Sequence, residues 1–477
     1  MGRNWERGKV SRSRFLTILG LLLFCVVVVT PPLLYGYIYP NGSDDTAAAY
    51  LSTIDSIKNG QPLKEFFIVS HAVVDYPIAM TSNITGWSVD TIFLWFVYGM
   101  LALSGIVIYF VMSRLVNRKA GWLALLLSVF CAQGLLFQFH WGQTFNFINI
   151  GIILPILLYF VVKYLTQGKA YQLAIALLLG ILFGSFHMTG VYLPATAGFL
   201  VVAYVLYCLV KRKRLEIRPL LLGISIVLLS TFVFLKSGMA MVKATPSIAT
   251  EQMGSGLGIP ISSYLMNFVS PTILMALVFL ALYYKEALRS LTVEAKVVCV
   301  VLGGLVIVLA VPAFTGFSID SFRQGLDLAT VMALLVAVSV ASLAWSGKNS
   351  KVALVLLLMV GFGLFRSLPV WFSNTNAIQQ VDKEAIAYIN TLDYDSFGCS
   401  AEVAPLVYGR FLTANYEKGD GTPILIDRNV PMTPKSDSRT KWYLGHGVEP
   451  DDNYELLRTF DKDGIVVDVY RNIECER

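Results

Sequence analysis

The stretch FLTILGLLLFCVVVVTPPLLYGYIYPNGSDDTAAAY, residues 15–50, decides what kind of protein this is. Residues 15–38 carry no charge and are long enough for a helix across a bilayer, which needs roughly 20 apolar residues. Two adjacent carboxylates, Asp44 and Asp45, follow almost at once. Carboxylates at a bilayer edge are costly to desolvate, so these either cap and solvate a surface helix or carry chemistry at the membrane face.

Working outward, Arg3, Arg7, Lys9, Arg12 and Arg14 precede the run. That pattern can introduce a cleaved signal peptide, but the apolar run is too long and lacks a small-residue cleavage site, so a retained signal anchor is expected. The whole chain supports this: 56% of its 477 residues are hydrophobic and only 14% charged, and its mean hydropathy is +0.65. Ten further stretches of span length lie near 91–112, 121–137, 146–164, 172–187, 190–210, 219–236, 264–284, 297–314, 326–345 and 352–372. The expected fold class is therefore a mainly α polytopic membrane protein of about 11 transmembrane helices.

Lysine and arginine gather in alternate loops, which orients the chain. One set holds the N-terminus, Arg114 with Arg118 and Lys119, Lys169, Lys211 to Arg214, Lys285 with Arg289 and Lys296, and Lys348 with Lys351. The opposite set is nearly free of them, with Lys58 and Lys64 alone in the long segment 39–90. The N-terminus is expected to be cytoplasmic, and an odd number of spans places the C-terminus outside.

Charge also marks a boundary. From Asn374 onward there are 11 basic and 18 acidic residues, a net of −7 against +13 for residues 1–373. Residues 1–373 form the expected transmembrane domain, with long outer loops at 39–90 and 237–263. Residues 374–477 form a small extracytoplasmic α/β domain, in which VDKEAIAYINTL has helical periodicity and TPILID and GIVVDVY read as strands. Cys25, Cys131, Cys208 and Cys299 sit in apolar spans, whereas Cys399 and Cys475 fall in the tail and fit one disulfide or two free thiols. No Cys/His cluster suggests a metal site and no phosphate loop appears, so no cofactor is expected.

Polar residues near the outer face are the candidates for function. From Thr46 the residues Ala47, Tyr50, Leu51, Ile54 and Ile57 recur at helical spacing, with Gly60 as a stop, which predicts an amphipathic helix packed on the protein along the membrane. Ser43, Asp44 and Asp45 are all good caps for it, and a helix needs only one, so one carboxylate is left for catalysis. His71 and Asp75, in HAVVDYPIAMTSNITGW, are solvated loop groups or substrate ligands. QFHWGQTFNFIN, residues 138–149, offers His140, Trp141, Gln143, Asn146 and Asn149; it could stack on and hydrogen-bond a sugar, or form an interfacial aromatic belt. His187, in GSFHMTG, ends a span at the outer face as a structural hydrogen bonder or a substrate ligand. Arg323, in FTGFSIDSFRQGLDLATVMALLVA, stands at the outer entrance of a span, paired with Asp320 or Asp327 or holding an anion such as phosphate.

In layout over roughly residues 10–372, the chain resembles the GT-C class of integral membrane glycosyltransferases. The matching features are the first span ending in SDD, an outer loop carrying a surface helix and DYP, SFHMTG at an outer helix end, a long outer loop after the seventh span, and FRQGLDLATVMALL opening a late span. The resemblance implies transfer of a sugar from a polyprenyl-phosphate donor to a glycan, lipid or protein acceptor at the outer face of the plasma membrane. It also implies Asp44 or Asp45 as base and Arg323 as donor-phosphate binder. The WWD-type motif of the oligosaccharyltransferase branch is missing, so a single-sugar, inverting transferase without a metal is expected. The alternatives are a glycan ligase or polymerase using a lipid-pyrophosphate oligosaccharide, and a transporter or flippase, which would show paired inverted repeats and broken helices.

Overall fold

The computed structural model describes residues 2–35, 54–55, 57–60, 73–131, 135, 138–139, 144–186, 188–244, 271–315, 321–343, 358–365, 368, 380–389, 391, 424–427, 442–445, 454–462 and 465–473. The helices among them are α1 (Gly2–Tyr35), α2 (Asp75–Thr85), α3 (Val89–Leu115), α4 (Arg118–Leu126), α5 (Thr144–Ile148), α6 (Leu154–Gln167) and α7 (Ala170–Phe186). They continue with α8 (Tyr192–Val210), α9 (Ile217–Ala244), α10 (Pro271–Ser290), α11 (Val293–Thr315) and α12 (Ser321–Leu343). Among the described residues, six helical stretches are long and apolar enough to cross a membrane, and Ala170–Phe186, Ile217–Val233 and Ile273–Tyr283 are shorter apolar helices. Of the expected spans 121–137 and 352–372, the described helical parts are 118–131 and 358–365.

In lipid every backbone polar group must be satisfied internally, so the chain spans as helices and changes direction with specific caps. Ser88 starts α3 by accepting from the Thr91 N–H at 3.2 Å, and Asn117 Oδ1 starts α4 by accepting from Lys119 and Ala120 N–H at 3.1 and 2.9 Å. The α3–α4 hairpin is then closed by a small residue: a Cβ at Gly121 would run into Ser113 Oγ and would lie 2.6 Å from the Tyr109 carbonyl oxygen. Tyr109 and Trp122 pack across the same seam with ring centroids 4.7 Å apart. Small residues allow this kind of close backbone approach between apolar helices.

The core is centred on α12. Of its window Gln324–Ser342, 83% is buried, against 22% for Arg14–Leu34 in α1 and 22% for Tyr192–Val210 in α8. Helices α4, α10 and α11 pack around α12, while α1 lies outermost against α3. Two single π-helical turns interrupt the bundle, Leu127–Cys131 after α4 and Asn149–Ile153 between α5 and α6. They flank the segment 132–143 on both sides.

Two outer segments hold more helix than their composition suggested. The outer segment 39–90 contains α2, because Pro77 lies in a helical first turn, where its missing N–H and fixed φ are tolerated. Asp75 is therefore no solvated loop residue but the fully buried first residue of α2. The loop expected at 237–263 begins later, because α9 runs on to Ala244. The segment GMAMVKA holds Met, Ala and Lys and no breaker after Gly238, and the first proline comes only at Pro246. The surface helix expected to end at Gly60 does so: Asn59 N–H bonds Asp55 O at 2.9 Å, Gly60 has φ 72°, and Ile54 is fully buried.

In the tail, helix α13 (Gln380–Ile389) and strands β1 (Ile424–Asp427), β2 (Trp442–Gly445), β3 (Tyr454–Lys462) and β4 (Ile465–Asn472) form one unit. The sheet order is β1-β2-β4-β3, with β1 and β2 parallel and the other pairs antiparallel. Tyr388 of α13 packs on Phe460 at 5.7 Å, and the Arg458 guanidinium lies over both rings. The helix and two of the strands fall on the segments whose periodicity announced them.

Substituting Gly121 by Leu forces the α3–α4 hairpin apart. Overpacking of this kind costs about 1–3 kcal/mol. The purified variant should melt several degrees below the wild type in the same detergent, whereas Gly99→Leu, where a Cβ meets nothing within 4 Å, should melt like the wild type.

Candidate active site

Asp44, Asp45, His71, Gln143, His187, Cys399 and Cys475 lie outside the described residues, as do His140, Trp141 and Asp320. Arg323 is placed in the first turn of α12; its side chain lies outside the described residues. Among the expected site residues, the side chains of Asp75 and Asn146 are placed. Neither is exposed.

Asn146 points into the bundle. Its Nδ2 donates to Asp327 Oδ1 at 2.9 Å, and Gln138 Nε2 donates to the same oxygen at 2.9 Å. Asp327, Gln138 and Asn146 are all 0% exposed, so the described parts of 138–149, residues 138–139 and 144–149, face the interior. The aromatic residues there follow the same pattern: Phe139 packs on Tyr98 at 4.7 Å and on Phe147 at 6.2 Å, and Phe145 on Phe186 at 5.9 Å. An interfacial belt would face lipid headgroups; these rings are buried inside the bundle.

A π turn lies on each side of this amide-rich segment. A π turn widens the helix by one residue and re-aims the side chains after it. Asn149, the first residue of the second π turn, donates from Nδ2 to the Phe183 carbonyl at 3.3 Å, tying this segment to the last turn of α7, next to His187. Gln138 Oε1 and Asn149 Oδ1 are buried acceptors without a hydrogen-bond partner among the described residues.

Asp327 lies on the same helix as Arg323, four residues and about one turn further in. In a bilayer a buried carboxylate is expensive and marks function by default. Here two amide donors hold it, and charge-assisted hydrogen bonds of this kind are roughly twice as strong as neutral ones. Sequence reasoning treated Asp327 only as a possible partner of Arg323. The available signal was a lone charge followed by an uninterrupted apolar run, LDLATVMALLVA.

The outer segment is held together by bonds of its own. Lys58 Nζ bonds Ser82 Oγ of α2 at 2.9 Å, and Ser82 Oγ donates to the Trp87 carbonyl at 2.8 Å. The Asp75 carboxylate stands at the N-terminus of α2, where the helix dipole favours negative charge. Among the described residues no three His, Cys, Asp or Glu side chains come together in a way that could hold a metal ion.

No protein-family model matches the chain, and no curated protein matches it in sequence. Solved structures do resemble it. The apo structure of ArnT from Cupriavidus metallidurans matches with a TM-score of 0.51 at 12% identity, over 97% of this chain and 99% of that one. ArnT from the same organism bound to undecaprenyl phosphate matches with a TM-score of 0.50 at 10% identity, over 95% and 97%. The Archaeoglobus fulgidus oligosaccharyltransferase gives 0.46 at 13% identity over 85% of this chain, which spans only 60% of that protein's length. These neighbours are GT-C glycosyltransferases, and ArnT is matched along almost its entire length. The chain is a multi-pass membrane protein with the GT-C fold.

Proposed function

We propose that the chain is a membrane glycosyltransferase that moves one sugar from a polyprenyl-phosphate carrier to a glycan, lipid or protein acceptor at the outer face of the plasma membrane. The observation that carries this reading is the end-to-end fold match to ArnT, one of whose structures holds undecaprenyl phosphate. The sequence features at the outer end of the helices supply the chemistry.

In this reading one of Asp44 and Asp45 takes the proton from an acceptor hydroxyl, a contribution of about 10² to 10⁴ in rate. The acceptor oxygen attacks the anomeric carbon from the side opposite the phosphate. The bond from that carbon to the phosphate oxygen breaks through an oxocarbenium-like state, and the polyprenyl phosphate leaves with the bonding pair. The configuration at the anomeric carbon inverts. Asp45, nearer the surface helix, is the better cap, which leaves Asp44 as base.

Arg323 compensates the charge developing on the departing phosphate. A cation in the first turn of a helix is opposed by the helix dipole, so an anion bound there relieves Arg323 and also meets the free N–H groups of the α12 N-terminus. Asp327 acts as a positioning residue: its bonds to Gln138 and Asn146 fix the outer half of α12, and Arg323 with it, against the 138–149 segment. Gln143 and His187, next to that segment and to the end of α7, are the proposed sugar ligands. His71 and Asp75 belong to the outer segment that carries the base.

In liposomes holding a polyprenyl-phosphate sugar, Asp44→Asn should lower transfer by at least about 10²-fold while the protein still inserts, and Asp45→Asn should lower it less. Full transfer by both variants would overturn the assignment of the base. Supplying a lipid-pyrophosphate oligosaccharide instead should give no transfer, and transfer from it would favour a ligase or polymerase.

Asp327→Ala leaves two buried amide donors without their acceptor, each costing about 1–3 kcal/mol. Its melting point should fall by several degrees. Asp327→Asn keeps an acceptor oxygen, so it should fold but raise the KM for the lipid donor more than it lowers kcat. A wild-type melting point for the Ala variant together with a wild-type KM for the Asn variant would remove Asp327 from the account.

A further inference from the structure

The bundle contains an apolar cavity whose polar end lies far from Arg323. Helices α6, α8, α9 and α11 enclose a cavity of about 600 Å³, walled by side chains such as Leu157, Ala197, Ile226 and Val301. It follows α8 from Leu193 to Tyr207, a length of about 21 Å at 1.5 Å per residue. Its volume is that of a small-molecule site, and its shape suits one extended hydrocarbon chain.

Two polar features mark it as more than a packing gap. Thr196 lines the cavity, is nine-tenths buried, and its Oγ1 has no hydrogen-bond partner among the described residues. At the mouth stand the exposed Lys296 and the two tyrosines Tyr204 and Tyr207. Lys296 has no carboxylate partner among the described residues, whereas nearby Lys163 is neutralised by Glu294 at 2.7 Å. Lys213 adds a second cation, with its Nζ 5.3 Å from the centre of the Tyr207 ring. It belongs to the basic turn Lys211–Arg214 that joins α8 to α9.

We propose that this cavity binds one acyl chain of an anionic phospholipid from the leaflet at the basic end of the bundle, with its phosphate held by Lys296 and Lys213 and its ester oxygens near the Tyr204 and Tyr207 hydroxyls. Charge complementarity selects this occupant. An apolar slot alone would take any lipid, but at this mouth Lys296, Lys213 and the rest of the basic turn Lys211–Arg214 outnumber the one carboxylate residue beside Tyr204, Glu216, whose N–H donates to the Tyr204 hydroxyl at 2.9 Å, and that balance favours a lipid with net negative charge.

The phosphate of the carrier lipid in the proposed reaction is kept from Lys296 by distance. Helices α11 and α12 are consecutive, antiparallel and packed together, with Lys296 near the start of one and Arg323 at the start of the other. The 19 residues from Lys296 to the end of α11 at Thr315 separate those ends by about 28 Å, close to the full hydrocarbon thickness. A lipid whose phosphate sits by Arg323 cannot place it at Lys296. This inference goes beyond the proposed reaction, and only the distinction from the carrier lipid rests on that reading.

The test uses the full chain reconstituted in vesicles of equal parts phosphatidylglycerol and phosphatidylcholine, extracted gently, with retained lipids counted by native mass spectrometry. The wild type should retain phosphatidylglycerol over phosphatidylcholine by about fivefold or more. Lys296→Ala with Lys213→Ala should bring the ratio close to parity, while Lys119→Ala, a basic residue away from the cavity, should leave it unchanged. Ala197→Phe, which fills the slot, should reduce retention of both lipids. Equal retention by the wild type, an unchanged preference in the double variant, or displacement of phosphatidylglycerol by added undecaprenyl phosphate would each overturn the proposal.

Discussion

A carboxylate inside a bundle of apolar helices must be given hydrogen-bond donors, and the arrangement around α12 follows from meeting that demand at Asp327. The donors have to come from another part of the chain, since an α-helix has no spare N–H groups along its interior. They come from Gln138 and Asn146, on either side of the segment 140–143. Both amides reach the same oxygen only if the chain on each side of that segment enters the bundle. The π turns at Leu127–Cys131 and Asn149–Ile153 lie where that entry is made. The most enclosed helix, the two local departures from α geometry and the deepest polar contacts therefore belong to one physical problem.

This ties fold to function without invoking large motions. The outer half of α12 carries Arg323 in its first turn and Asp327 one turn further in, so whatever fixes Asp327 also fixes the arginine's backbone. The outer segment is held together by Lys58 on Ser82 and is anchored by Ile54 in the core. In the proposed reaction, base and phosphate binder thus stand on separately anchored elements, as a reaction with attacking and departing groups on opposite faces of a sugar requires. The cavity mouth at Lys296 is set apart from the start of α12 by about the thickness of the hydrocarbon.

The sequence revealed much of the fold and less of the site, for physical reasons. Apolar length is a single-helix property, so 91–112 anticipated Val89–Leu115 and 172–187 anticipated Ala170–Phe186 within a few residues. Where a boundary depends on context the reading slipped. Pro77 looks like a loop residue unless the helix is known to start two residues earlier, and nothing in GMAMVKA stops α9. The greatest difference lies at 138–149, where a run of amides and rings reads as a surface. Its interior role depends on a partner, Asp327, about 180 residues away in sequence, and no local periodicity reports such a pairing. The resemblance to GT-C enzymes, carried by the SDD and FRQGLD segments, anticipated the fold that the ArnT structures share.

The central claim is that a lipid phosphate is held at the outer start of α12 within reach of the acidic pair. An electron cryo-microscopy map of the full chain in nanodiscs with undecaprenyl phosphate tests it most directly. The account requires phosphate density beside the Arg323 guanidinium, with the carboxylate of Asp44 or Asp45 facing the space where the anomeric carbon would sit. Phosphate density elsewhere, with Arg323 engaged only by protein carboxylates, would contradict it.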